Sequence, residues 1–372
     1  MRKIKSSLPF PIPVLSFFTG GGFMDIGFET DQLFKVIWTN EIDASICKLY
    51  AEGMSAWHGA NCQITNQQSI ETISSINILN EARQQIGFQN IFGIIGGPPC
   101  PDFSVRGSQM GFNGDRGRLT IIFIERIMEL MPAFFVIENV KGIMSPRNQP
   151  MLNELIAYLR TRFIVAAPIQ VNALDFGVPQ HRERVFIIGF NRTHISDEQA
   201  AHFLRTTMLQ NRPFPNALQT YNWPRNNRCK NKDRETPPPM LCTGPYLIDN
   251  ENDIPNANEY FALHSSQQKV ENTLEGDMSR SSFRRLHRGQ FSPTTCYGNN
   301  EVHLHPYLHR RLSVREALRL QSVPDAYIFT TKGNYSKKFK LIGNGVPVAL
   351  GQAIAKSVWQ TLDLFMTRSS LK

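Results

Sequence analysis

The chain has 372 residues, 41% hydrophobic and 19% charged, enough apolar material for a sizeable core and too much of it for a disordered polymer. Lysines and arginines number 40 against 31 aspartates and glutamates, and the net charge of +9 points to a polyanionic partner. The cysteines at 47, 62, 100, 229, 242 and 296 never form a CxxC pair, so their spacing argues against a zinc cage or disulfide framework and for a reducing, cytoplasmic compartment, and no apolar run approaches the ~18 residues of a membrane helix.

The opening segment, MRKIKSSLPFPIPVLSFF, mimics a secretion signal, but prolines break its apolar part and a glycine turn follows at once, so it reads as a first strand. Four apolar runs then end alike. Val14 to Phe18 delivers Thr19-Gly20-Gly21-Gly22, Val36 to Trp38 leads to Glu41, Phe92 to Ile95 leads to Cys100, and Ala133 to Ile137 leads to Glu138-Asn139. Helical patterns at Ala44 to Glu52 and Leu119 to Met131 lie between them, which predicts the β-α-β alternation of a parallel sheet, with ligands gathered at the strand ends.

The glycine cluster, with Gly27 beyond it and Glu41 after the second strand, has the layout of a nucleoside-bearing cofactor site, the acid accepting from both ribose hydroxyls. A tight structural turn is the alternative, and Asp25, where a dehydrogenase fingerprint wants glycine or alanine, weighs against NAD. In GGPPCPDFS, Gly96 to Ser104, prolines hold one thiol stiffly just past a strand end, which suits either chemistry or the packing of a small buried residue. Cys100 and Glu138 together invite covalent catalysis, although a glutamate before Asn139-Val140 can also merely cap the next element. In Pro179-Gln180-His181-Arg182-Glu183-Arg184, two arginines alternate before the strand Val185 to Ile188, placed for phosphate, a base edge or surface ion pairs.

From about 207 to 260 the chain is rich in Asn and Pro and poor in periodicity, which fits a separate loop-rich domain. Arginines 280, 284, 285, 288, 310, 311, 315 and 319 form a belt with the acids Glu301 and Glu316 and with His287, His303, His305 and His309. The belt suits phosphate contacts or a solvated face, and the histidines lack the partnering ligands of a metal site. Finally, Asn344-Gly345-Val346-Pro347 reads as a loop capping a long helix that returns to the large domain.

The strings FFTGGG, GGPPCPDFS, ENV, GVPQHRERVFIIG, RRLSVREALRLQSVPDAY and LIGNGVPVALGQAI, in this order, resemble the C5-cytosine DNA methyltransferase family of the prokaryotic restriction-modification type, over about residues 13 to 190 and 290 to 360. The resemblance implies a Rossmann-like, S-adenosylmethionine-dependent α/β fold. Residues 1–190 and 311–372 would form the catalytic and cofactor-binding domain, and 191–310 a smaller target-recognition domain. It implies methyl transfer to C5 of a cytosine swung out of duplex DNA, through a covalent bond from Cys100 to C6. Protonated Glu138 would hold N3, Arg184 would contact O2, and Arg182 would support the site.

It further implies that Phe18, Gly20, Gly22, Glu41, Ile42, Ser69, Ile70, Pro99, Asn344, Gly345 and Val346 hold the cofactor, whose product is S-adenosylhomocysteine. Ser104, Arg106, Thr294 and Thr295 would touch DNA, and Pro101 to Leu119 would supply a glycine-bearing lid. Ser16, Phe23 and His181 stand where the family usually has Asp, Gly and Asn. The implied partners are double-stranded DNA and a restriction endonuclease of the same site that forms no stable complex with it; the implied setting is a cytoplasmic, nucleoid-associated monomer without a metal. A cytosine methyltransferase of transfer RNA is the nearest alternative, but the Cys-Phe-Thr tripeptide of that branch is absent. A DNA-binding module with a dead site is disfavoured by the presence of both Cys100 and Glu138.

Overall fold

The computed structural model describes residues 11–99, 115–224, 234–251, 253–263, 266–294 and 301–369. In chain order the elements are β1 (Ile12–Phe17), α1 (Phe23–Glu29), β2 (Phe34–Asn40), α2 (Ala44–His58), α3 (Ser75–Arg83), β3 (Gly93–Gly96), α4 (Asp115–Leu130), β4 (Phe134–Asn139), α5 (Gln149–Arg160), β5 (Phe163–Val165), β6 (Ile169–Asn172), β7 (Glu183–Asn191), α6 (Gln199–Gln210), α7 (Ala217–Thr220), α8 (Gln267–Glu271), β8 (Arg284–Arg285), β9 (His303–Leu304), α9 (Val314–Leu320), α10 (Tyr335–Asn344) and α11 (Val348–Ser369).

The main sheet has the order β2-β1-β3-β4-β7-β5, with β6 also on β7. β2, β1, β3 and β4 pair in parallel, as the alternation of strands and helices predicts, whereas β7 runs antiparallel to β4, β5 and β6. The four runs read as parallel strands are parallel, and β7 adds an antiparallel part that the sequence reading left open. The run from Val185 reads as buried whichever way it points, because an apolar run carries no direction. The reversal matters for chemistry: Asn139 faces Val185 and Glu138 faces Phe186, so the start of β7 lies at the same edge as the end of β4.

Alternate side chains of the strands feed two apolar layers. Val14, Val136 and Ile188 pack with Met24 and Phe28 of α1, Leu204 of α6 and Val358 of α11. Leu15, Ile94 and Ile137 pack with Ile78 of α3, Phe123 of α4 and Leu159 of α5. This is a helix–sheet–helix sandwich, and its period-2 burial is what sorts the two layers. A third cluster joins Phe23, Tyr50 and Met54 to Val314, Tyr327 and Phe339, so the C-terminal elements close against the first glycine turn.

Local chemistry sets the ends. The Asp43 carboxylate caps α2 by accepting from the amides of Ser45 (2.9 Å) and Ile46 (3.4 Å). Ser313 and Glu316 form a capping box on α9. Gly27, grouped above with the glycine cluster, has a packing role instead: a Cβ there would come within 2.8 Å of backbone atoms of Val348, Gly351 and Gln352, so its bare surface lets α1 and α11 cross closely.

Candidate active site

Four strand ends converge with the start of β7. After β1, Phe18 adopts φ 50° and Gly22 φ 74°, a left-handed step at the head of α1 that suits glycine; a Cβ on Gly22 would also press on Tyr50 and Met54. The turn is held from outside: the Thr19 amide donates to Asn40 O (3.0 Å), and the Tyr327 hydroxyl donates to Gly21 O (2.9 Å). Beneath it the Ser16 hydroxyl donates to Asp25 Oδ1 (2.7 Å), and burial pushes the Asp25 carboxyl up to about 7.

Glu41, just past β2, reaches across to the glycine turn. Its Oε2 accepts from the Gly20 amide (3.1 Å) and its Oε1 from the Asp43 amide (2.9 Å), while Ile42 beside it is 64% exposed. Phe18 is half-buried and meets Phe123 edge to face at 5.6 Å between centroids. An acid anchored by backbone donors, a half-exposed aromatic ring and a left-handed glycine turn form a cradle fitted to an adenosyl group.

Ser69 and Ile70, expected at the cofactor, differ in their surroundings. Ile70 is 3% exposed and belongs to the apolar layer under α3 and α4, and the Ser69 hydroxyl accepts from the Glu71 amide (3.2 Å). The segment that runs beside β2 is Thr65-Asn66. Asn66 bridges to Asn40, its carbonyl accepts from the Glu41 amide (3.2 Å), and its side-chain amide donates to Glu81, which also accepts from the Trp38 indole (2.9 Å). Neither residue type advertises this role, because the contact depends on a bridge between segments that are distant in sequence.

Past β3, Gly97 lies against the end of β4, where a Cβ would sit 2.9 Å from Glu138 Oε2. Glu138 is 5% exposed, and its Oε1 pairs with Arg184 Nε at 2.7 Å. Burial pushes the Glu138 carboxyl up, while Arg184 first and Arg182 second pull it down; desolvation is the larger influence and the net direction is upward. Arg182, two residues before Arg184, is fully buried and donates through Nη2 to Gly343 O (2.7 Å) and Gly345 O (2.9 Å). The loop Asn344-Gly345-Val346 is thereby drawn to the same edge. Asn344 is exposed, and Gly345 sits so close to Phe23 that a Cβ would fall 2.4 Å from its ring.

His181 and Ser292 exchange strand-like bonds: His181 N donates to Ser292 O and Ser292 N to Pro179 O, both at 2.8 Å, and the Thr294 hydroxyl donates to His181 O (2.6 Å). Thr294 thus reaches the segment that leads into β7, the strand of Arg184. Cys100, Ser104, Arg106 and Thr295 lie outside the described residues, as does the stretch 101–114 of the expected lid; Asp115 to Leu119 open α4.

The arginine belt takes a different form from the expected row of phosphate contacts. Arg285, Arg310, Arg311 and Arg315 are buried. Arg285 donates to the carbonyls of Thr273, Val270, His305 and Leu308, Arg310 pairs with Glu316 and Glu251, Arg311 donates to Glu301 O, and Arg315 donates to Tyr327 O and Pro255 O. Arg288 and Arg319 form two-pronged pairs with Glu275 and Asp325. Among the described residues no group of three His, Cys, Asp or Glu side chains is placed to hold a metal, and no helix is long and apolar enough to cross a membrane.

The family model described as C-5 cytosine-specific DNA methylase matches residues 12–360. The chain belongs to this family. It is 33% identical to the Type II methyltransferase M.NmeDI of Neisseria meningitidis serogroup C, covering 94% of this chain and 84% of the relative, and 28% identical to the Type II methyltransferase M.MthTI of Methanothermobacter thermautotrophicus, covering 94% and 98%. Among solved structures, a candidate DNA modification methyltransferase encoded within an E. coli prophage superposes with TM-score 0.65 at 24% identity, covering 94% of this chain and 99% of the other, which is a likeness of fold. The chain is therefore a DNA cytosine methyltransferase with the α/β fold of S-adenosylmethionine-dependent C5 methyltransferases. Its family uses S-adenosylmethionine, and the cradle at the ends of β1 and β2 fits that group's adenosyl part.

Proposed function

We propose that this methyltransferase acts on a cytosine extruded from a specific duplex DNA sequence, with Cys100 as nucleophile and Glu138 as the acid that holds the pyrimidine. The observation that carries the reading is the buried Glu138–Arg184 pair beneath Gly97, at the meeting of four strand ends, with the carboxyl driven toward its neutral form. Cytosine C5 is a poor nucleophile. Addition of the Cys100 thiolate to C6 forms an S–C bond and pushes the ring electrons toward N3, where the Glu138 proton stabilises them and C5 becomes enamine-like. Arg184, fixed by Glu138 through Nε, is oriented toward O2 of the same base.

The bound cofactor, held by Phe18, Gly20, Gly22, Glu41, Ile42, Pro99, Asn344, Gly345 and Val346, supplies the methyl group. Loss of the C5 proton to a base and departure of the thiolate then restore the aromatic ring. Residues 191–310 would serve as the recognition domain, from which Thr294 bonds to His181. Extrusion costs a few kcal/mol, offset by contacts of the basic surface to the phosphate backbone. The enzyme acts as a monomer in the cytoplasm at the nucleoid, alongside an endonuclease of the same specificity with which it forms no stable complex.

The test is capture on 5-fluorocytosine duplex DNA with S-adenosylmethionine. The wild-type chain should form a denaturation-resistant adduct, whereas Cys100→Ser should form none, lose methylation of unmodified DNA and keep duplex affinity. Methyl incorporation into transfer RNA but not into duplex DNA, or an active Cys100→Ser variant, would overturn the reading.

A further inference from the structure

Arg182 makes contacts that base chemistry does not require. Its guanidinium is wholly buried, and one nitrogen, Nη2, donates to the two carbonyls that flank Asn344, those of Gly343 and Gly345. Gly343 lies in the last turn of α10, where a helix presents carbonyls without intrahelical partners at the negative end of its dipole, so a buried cation is held there on electrostatic grounds. Nη1 reaches Gln180 Oε1 at 3.5 Å, and Gln180 donates to Leu320 O at 3.1 Å, while Gln321 donates to Ile342 O at 2.8 Å. The turn is therefore gripped on several sides while Asn344 itself stays exposed. Along an extended chain, residues two apart point to the same side, and the next such residue is Arg184, which holds Glu138.

We propose that Arg182 is a positioning residue for the cofactor: it fixes the Gly343–Gly345 turn so that Asn344 faces the ligand, and it ties that turn to the strand that orients the base-holding pair. The inference rests on the cofactor role assigned above to Asn344. Lysine cannot reproduce the whole grip, because its one ammonium would have to replace both the Nη2 that meets the two carbonyls and the Nη1 that reaches Gln180.

The experiment uses the full chain without DNA and measures S-adenosylhomocysteine binding by calorimetry. Arg182→Lys should weaken binding about tenfold or more and raise the KM for S-adenosylmethionine by a similar factor. At saturating cofactor its kcat should fall by a clearly smaller factor than KM rises, and its affinity for duplex DNA should stay near wild type. Asn344→Ala should weaken binding too, and the double variant should lose less than the two single losses multiplied, since both act through one turn. Wild-type affinity in Arg182→Lys, or independent losses in the cycle, overturns the proposal.

If circular dichroism finds Arg182→Lys unfolded, Gly345→Ala displaces the same turn against Phe23 with Arg182 intact. It should show the same loss, and unchanged affinity there overturns the proposal as well. A wild-type chain that binds no S-adenosylhomocysteine sinks the cofactor assignment and this inference together, whereas a binding wild type with indifferent variants sinks this inference alone.

Discussion

Glu138 and Glu316 are both buried and both paired with arginine, yet they sit in opposite kinds of surroundings. Glu316 is enclosed by the Ile248 amide (2.9 Å), the Ser313 amide (2.7 Å), two nitrogens of Arg310 (2.7 and 2.9 Å) and, farther off, His305 at 3.5 Å, so its oxygens are committed within α9 and its neighbours. Glu138 has Arg184 on one oxygen and the bare backbone of Gly97 near the other, at an edge where strands end. A carboxylate with many donors serves the fold. One that is buried with few donors is pushed toward its neutral form and can give a proton hydrogen bond to something that arrives.

Glu138→Gln should lower kcat by about 10²–10⁴-fold, the usual range for a positioned general acid, with a smaller loss of stability than Glu316→Gln because fewer donors lose their acceptor. Glu316→Gln should leave a folded enzyme's chemistry near wild type but destabilise it by up to about 3 kcal/mol, since Arg310 loses its buried carboxylate partner and keeps the partly exposed Glu251. An inactive but stable Glu316 variant would break the contrast. Next in size is the pH profile. Glu138 must carry its proton to act and its folded pKa is raised, so activity should be present below that pKa and fall as pH rises through it, and the alkaline limb should disappear in Glu138→Gln.

Asp25 sharpens the same rule within the fold. It has the Ser16 hydroxyl on Oδ1, no hydrogen-bond partner on Oδ2 among the described residues, and a carboxyl pushed up to about 7 by burial first, with Glu29 adding to it. Because the folded pKa lies above the unfolded one, its stabilising contribution is full below about pH 4 and is lost as pH rises toward 7, by a few kcal/mol. Thermal melts from pH 4 to 8 should show this decline in the wild type and a flatter course in Asp25→Asn. Equal slopes would mean that another group carries the dependence.

The strand ends were legible because each couples an apolar run to a polar or glycine residue, a pattern that survives without any three-dimensional information. Glu41, Glu138 and the turn after Phe18 all rest on it. The sense of β7 was not legible, and the three-residue β5 was too short to leave a periodic signal. The belt of arginines misled for a related reason: a count of charges does not name their partners. Arg285 and Arg315 satisfy main-chain carbonyls from segments more than ten residues away, such as Thr273 and Tyr327 for each in turn, and nothing local marks an arginine that will be buried by them. Thr65-Asn66 went unnoticed because its place beside Glu41 is made by a single bridge.

The smallest expected effect tests what remains of the belt at the surface. Arg319 meets Asp325 through Nε–Oδ1 (2.9 Å) and Nη2–Oδ2 (2.6 Å), with the Asp325 side chain 56% exposed. An exposed pair of this kind contributes about 0.2–1 kcal/mol, even with good geometry, because water and side-chain entropy offset most of the attraction. Arg319→Ala should therefore lower the melting temperature only slightly and leave the salt dependence of duplex binding unchanged, since the guanidinium is already engaged. A phosphate contact at this position would instead reduce the slope of log K against log salt by about one. Such a loss would return Arg319 to the nucleic-acid surface, and with it part of the function that its pairing with Asp325 takes away from the belt.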